Sequence, residues 1–287
     1  MAETLRELVE AELGTPVDPR VTAMAEAIAA KHGAASRAVL FYGSCLREKQ
    51  LDGLMLDFYL IVSNYSSAYD RAWLAKANAL IPPNVFPFHH DGLAAKYAVL
   101  SEADFNRLNG PETRNVSVWA RFAQPSRLVW AKDDAARAKA VTAIARAAPT
   151  LLSSARPFPE GDELDPWRHA FALTYSAELR AERKGRSGSI VDTDPDRYRR
   201  FLQPALAAIE PTASGGGWTR RRLEGKALSV ARLAKASLTY AGGAEYIAWK
   251  INRHAGTSIE LKPWQKRHPL LAAISLLPRL LRSGAIR

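Results

Sequence analysis

One cysteine, Cys45, stands in 287 residues, so no disulfide can form within the chain. That usage fits a reducing compartment. No apolar run reaches the roughly 18 residues that a bilayer-spanning helix needs. The opening segment, MAETLRELVEAELG, is acidic and amphipathic. It lacks the basic start and apolar stretch of a secretion signal and is too acidic for a transit peptide. The expectation is a mature chain that begins near Met1 and stays soluble or peripheral in the cytoplasm. The triple glycine at 215–217 lacks the full spacing of a phosphate loop and reads as a flexible connection. No internal repeat and no long low-complexity tract is present.

What is there is apolar and basic. Hydrophobic residues make up 47% of the chain and seven are Trp, which argues for a folded core and against disorder. The formal charge is +11. Such a balance predicts an anionic partner, whether nucleic acid, nucleotide or an acidic membrane surface.

Periodicity places the elements. Leu5, Leu8, Val9 and Leu13 recur at helical spacing up to Gly14. Asp18 and Pro19 read as the cap and first turn of a second helix, with Val21, Met24, Ala25 and Ile28 as its buried stripe and Gly33 as its stop. Residues 38–42 and 54–62 read as strands. Residues 66–80 show helical spacing at Tyr69, Trp73, Ala77 and Leu80, ended by Pro82-Pro83. Residues 84–90 are short and aromatic. Residues 96–100 read as a third strand, followed by a helix capped by Ser101 with Asp104 in its first turn. The pattern at 116–122 fits strand or helix equally.

From Asp133 the texture turns to Ala, Arg and Lys, with helical segments at 133–153, 166–184, 195–209, 219–238 and 243–254. Two loops are expected between them, at 184–195 and 211–217. The break between the halves falls near 124–132.

The stretch at 39–62, VLFYGSCLREKQLDGLMLDFYLIV, organises the chain. A strand runs into a Gly-Ser turn, and a second apolar strand carries one carboxylate, Asp57. A glycine turn lets backbone amides approach a phosphate, and a carboxylate on the neighbouring strand can hold a divalent cation against it. This resembles the layout of the nucleotidyltransferase fold, where a Gly-Ser pair precedes an acidic strand. The usual pattern has two acids alternating on one strand. Here Met55 and Tyr59 flank Asp57, and Asp52, Asp91 or Asp104 remain as sources of a second acid. His89, His90 and Asp91 do not make a metal cluster, because adjacent side chains on an extended chain point apart. Cys45 reads as a small packing residue.

With Phe41-Tyr42-Gly43-Ser44, the acidic strand at Asp57, Lys96-Tyr97 followed by Val99 and Ser101, and WARFAQPSRLV beginning at Trp119, the chain resembles a known family. These are the mitochondrial-type phosphatidate cytidylyltransferases, the peripheral CDP-diacylglycerol synthases, and their bacterial relatives. The resemblance spans roughly residues 35 to 130. It departs at Ala98, where the family has glycine, and at Ala120-Arg121-Phe122 and Gln124-Pro125. It implies transfer of CMP from CTP to phosphatidic acid in an anionic membrane, giving CDP-diacylglycerol and pyrophosphate, with magnesium. Gly43, Ser44 and Arg121 would bind the nucleotide. Asp57 and Lys96 would be catalytic, and Asp57 with Asp52 would hold the metal. No stable nucleic acid partner is implied.

On this reading the fold class is α/β (α+β). A nucleotidyltransferase-like mixed-sheet domain at 1–130 precedes a helical domain at 131–262 and a basic amphipathic tail at 263–287. The helical half offers Arg220, Arg221, Arg222, Lys226, Arg232 and Lys235 to a lipid phosphate. In the tail, Leu277 and Leu281 share an apolar side and Arg279 and Arg282 the opposite one. Such a helix can lie on the inner face of the cell membrane or dock on its own core. Two other readings fit the same residues: a nucleotidyltransferase acting on RNA or another phosphorylated acceptor, and an acidic-lipid-binding protein of this fold without catalysis.

Overall fold

Strands β1 (Ser36–Tyr42), β2 (Met55–Val62), β3 (Asn84–His90), β4 (Leu93–Ser101) and β5 (Ser126–Ala131) form one five-stranded sheet in the order β3-β4-β2-β1-β5. β2 and β4 run parallel, and the other neighbours run antiparallel. The sheet is therefore mixed and the fold class is α/β. The computed structural model describes residues 3–47, 51–178, 186–210, 216–239 and 262. The expected helix at 243–254 and the tail residues Leu277, Arg279, Leu281 and Arg282 lie outside the described residues.

Helices among the described residues are α1 (Leu5–Leu13), α2 (Pro19–His32), α3 (Tyr65–Ala68), α4 (Ala72–Leu80), α5 (Glu102–Asn109), α6 (Trp119–Phe122), α7 (Asp134–Ala145), α8 (Ala147–Ser154), α9 (Asp165–Ala177), α10 (Arg186–Thr193), α11 (Pro195–Ala207) and α12 (Trp218–Thr239). No helix of the described residues is long and apolar enough to cross a membrane.

Strand alternation splits the apolar residues into two layers. Val39, Phe41, Phe58, Leu60, Tyr97 and Val99 face the back, where Val21, Met24, Ala25 and Ile28 of α2 seal them. Asp18 caps α2 by accepting from the Arg20 amide, and Pro19 occupies the first turn. Leu40, Tyr42, Tyr59, Ile61, Ala98 and Leu100 face the front, in one apolar cluster that extends through α1, α5, α6, α7, α8 and α9 to Ala205 of α11. β5, at the expected division near residue 130, pairs with β1 from Ala38↔Ala131 to Tyr42↔Ser126.

Three local expectations are corrected. The segment at 66–80 is two helices, α3 and α4, because Tyr69 adopts an extended backbone at φ −135° and ψ 131° and turns its ring toward His32 and Phe86. Trp73 and Leu80 of α4 are 44% and 81% exposed, and the buried residue of that helix is Asn78. The expected loop at 184–195 contains α10, whose Ile190 and Val191 are buried in the front cluster. The strand at 96–100 is the fourth in chain order, since the aromatic stretch before it is β3. The ambiguous 116–122 segment holds the short helix α6.

Asn78 replaces apolar packing with three bonds. Its amide nitrogen donates to Tyr69 Oη at 2.9 Å and Val99 O at 3.0 Å, and its Oδ1 accepts the Asn84 amide at 2.6 Å. These tie α4 to the start of β3 and to β4. Substituting Asn78→Ala strands the Asn84 amide and the Val99 carbonyl in the core. Urea denaturation should show a loss of about 2–4 kcal/mol with little change in slope. A loss below 0.5 kcal/mol would contradict this assignment.

Candidate functional site

β1 ends in Tyr42, and the chain turns at Gly43 with φ +95°, a conformation that side-chain-bearing residues rarely adopt. Register places Tyr42 opposite Asp57 of β2, and Asp57 beside Lys96 of β4. A Cβ on Gly43 would lie 3.2 Å from Asp57 Oδ2, so the turn is pressed against that carboxylate. Lys96 Nζ lies 2.8 Å from Asp57 Oδ1, with the two side chains 23% and 20% exposed. The sequence-predicted residues Gly43, Asp57 and Lys96 are thus brought together on the front face at the end of β1. Ser44 begins the short 3-10 turn Ser44–Arg47 beside them and is exposed.

Arg121 enters from α6. Its Nη1 donates to Tyr59 Oη at 3.1 Å, and its guanidinium sits 5.1 Å from the Tyr42 ring centre. Burial opposes its charge. The phenol oxygens of Tyr42 and Tyr59 and the carboxylates of Glu178 and Asp57 outweigh that effect and hold its pKa well above the ordinary value. Tyr59 therefore occupies the position where a second strand acid was sought and serves instead to anchor an arginine. Its alternation with Asp57 was visible in the sequence. Its partner, 62 residues away, was not.

The other acids lie elsewhere. Asp52 is 64% exposed and pairs with Arg20 of α2 at 3.3 Å. Asp104 accepts from Tyr65 Oη at 2.6 Å and pairs with Arg107. Asp91 is in the β3–β4 turn at φ +46°, 3.5 Å from His90 Nε2. Cys45 is buried and donates to Met55 O. Among the described residues no group of three or more His, Cys, Asp or Glu is placed to hold a metal ion. Glu178 also acts on Arg121, and among the described residues Asp57 is the carboxylate that touches both the Gly43 turn and Lys96. It fits an ion that arrives on a nucleotide's own phosphates, and it does not by itself make a resident metal centre.

α12 packs against α9 and β3. Gly225 lets its backbone approach α9, since a Cβ there would meet Ala177 O at 2.2 Å. Two turns further on, Arg232 and Lys235 share one helix face and point at the turn before β3. Arg232 Nε donates to Pro82 O and Nη1 to Ser117 Oγ, both at 2.8 Å. Lys235 is 8% exposed and donates to Pro83 O at 2.8 Å and to Ile81 O. Burial, helped by the neighbouring Arg232 charge, pushes the Lys235 amine down to about 7. The remaining candidates of α12 are spent elsewhere or exposed. Arg220 pairs with Glu224 at 2.7 Å, Arg221 donates to Arg114 O at 3.1 Å, Arg222 donates to Ser176 Oγ at 3.1 Å, and Lys226 is exposed.

Two outcomes follow. Gly43→Ala forces a Cβ into a left-handed turn beside Asp57 and should cost about 1–3 kcal/mol by urea denaturation. A neutral result would mean that the turn relaxes freely. For Lys235, the folded pKa lies below the ordinary lysine value, so the unfolded chain holds a proton that the folded chain has released. Stability should rise from about pH 7 toward pH 10, by at most about 1.4 kcal/mol per pH unit. Urea midpoints at pH 6.5, 8 and 9.5 should show this rise, and Lys235→Met should abolish it. Equal slopes in both proteins would place the titration elsewhere.

No family model and no curated protein matches the chain. A nucleotidyltransferase-like protein from Exiguobacterium sibiricum 255-15 of known structure aligns over 92% of this chain and 92% of its own, at 12% identity and a TM-score of 0.29. At that score the similarity says nothing of substrate or chemistry.

Proposed function

We propose that the front-face site binds a nucleoside triphosphate and transfers its monophosphate to an anionic acceptor. The motif resemblance makes CTP the donor and phosphatidic acid at a membrane surface the acceptor. The observation that supports this most is the Gly43 turn packed on an Asp57–Lys96 ion pair, with Arg121 on the same sheet face. A backbone cradle, a lysine and an arginine on one face are what a phosphate site would need.

In the reaction, an oxygen of the acceptor phosphate attacks the α phosphorus in line. The bond from that phosphorus to its bridging oxygen breaks, and pyrophosphate leaves with the electron pair. The attacking oxygen is already anionic, so no general base is needed. The protein's part is orientation and charge neutralisation. Lys96 exchanges its Asp57 partner for a phosphate oxygen. Arg121, fixed by the Tyr42 and Tyr59 side chains, neutralises charge without having to reorganise. Magnesium bound to the triphosphate would neutralise its oxygens, and Asp57, released by Lys96, is the side chain that would meet it.

A second reading rests on a specific observation. Tyr59 stands in place of a second strand acid, and Asp57 is already neutralised by Lys96. A protein that binds acidic lipid without catalysis would look the same here.

Pyrophosphate release separates the two. Purified protein is assayed with magnesium, each ribonucleoside triphosphate, and liposomes with or without phosphatidic acid. The expected result is release with CTP only when phosphatidic acid is present, lowered about a hundredfold or more in Asp57→Asn and Lys96→Met. Binding to phosphatidic acid liposomes with no release under any condition would establish the second reading. Release independent of lipid would mean a different acceptor.

A further inference from the structure

Arg121 from α6 lies in the field of Tyr42, Tyr59, Glu178 and Asp57, and Arg232 from α12 in that of Tyr59, Glu178 and Arg121. Lys235 adds an amine one turn from Arg232, within its field. Arg232 has two of its nitrogens engaged, by Pro82 O and Ser117 Oγ. Its Nη2 is buried with no hydrogen-bond partner. A buried guanidinium nitrogen left unbonded is costly. So is the proximity of two arginines in a partly desolvated place. Both costs vanish if an anion with several acceptor oxygens sits between them, because a guanidinium fork matches phosphate geometry.

We infer that Arg232, Arg121 and Lys235 form a phosphate-monoester subsite on the front face, with Ser117 Oγ and Pro82 O holding the Arg232 fork in place. It differs from the Gly43–Lys96 side in its donors, which are side-chain cations and not a backbone turn. A dianionic monoester satisfies Arg232 Nη2, separates the two guanidinium charges and gives the Lys235 amine a counter-ion. Calling it the acceptor's phosphate rests on the function proposed above. The subsite itself does not.

The test is equilibrium binding by isothermal titration calorimetry to the full chain, with inorganic phosphate in one arm and water-soluble dihexanoyl phosphatidic acid in the other. Both should bind with one site per chain. Arg232→Met and Arg121→Met should each weaken binding about tenfold or more. Arg232→Lys, which keeps the charge but loses the fork, should fall between. Arg220→Ala, at an exposed position on the same helix, should bind like the parent. Near-UV circular dichroism confirms folding, and Arg232→Lys is read alone if Arg232→Met loses its signature. Binding only to the lipid with the same variant pattern would assign the subsite to the acceptor headgroup. Binding only to inorganic phosphate, again with that pattern, would assign it to free phosphate. Absence of binding to either probe, or binding that Arg232 and Arg121 variants leave unchanged, would overturn the subsite. Phosphate binding with the predicted variant pattern but no nucleotidyl transfer would overturn the proposed function and leave the subsite standing.

Discussion

The site depends on strand register. β2 and β4 run parallel with Asp57 beside Lys96, and β1 runs antiparallel to β2 with Tyr42 opposite Asp57. A slip of one residue in either pairing would send Asp57 or Lys96 to the back layer among Phe58 and Tyr97. Register is held because both faces of the sheet are buried, α2 on the back and the helical cluster on the front. The Lys96–Asp57 pair at 2.8 Å is thus a consequence of packing far larger than itself. Partly exposed, it is weak as a source of stability.

Charge on the front face follows the same logic. Arginine and lysine reach it from three separate elements, β4, α6 and α12, each fixed by its own apolar packing. Trp119 and Phe122 bury α6, and Gly225 against Ala177 seats α12. Chain-wide excess of positive charge, +11, is therefore not spread evenly over a solvated surface. Part of it is drawn inward, where low local polarity strengthens its attraction for anions. Elsewhere basic residues are neutralised within the protein, as Arg168 is by Asp162, Asp165 and Asp192, and Arg37 by Glu102 and Asp133.

Periodic elements were legible. Leu5, Leu8, Val9 and Leu13, the α2 stripe, the apolar runs of β1 and β2 and the Ser101 cap stand where spacing puts them, because each buries a continuous face or satisfies a local donor. What spacing misplaced was decided by tertiary contacts. Tyr69 breaks a helical repeat to reach His32 and Phe86, and RSGSIVDT becomes α10 because Ile190 and Val191 find the core. The site divided in the same way. That Gly43, Asp57 and Lys96 lie together was readable because a turn and two strands determine it. The Tyr59–Arg121 bond, the fork of Arg232 on Ser117, and the pairing of Asp52 with Arg20 join distant positions, and no local pattern signals them.

A crystal structure with a non-hydrolysable CTP analogue and magnesium tests the central claim most directly. The account predicts the triphosphate against the Gly43 turn, Lys96 Nζ moved from Asp57 to a phosphate oxygen, and Arg121 still bonded to Tyr59. A closed Asp57–Lys96 pair with the nucleotide bound elsewhere, or no nucleotide at saturating concentration, would contradict it.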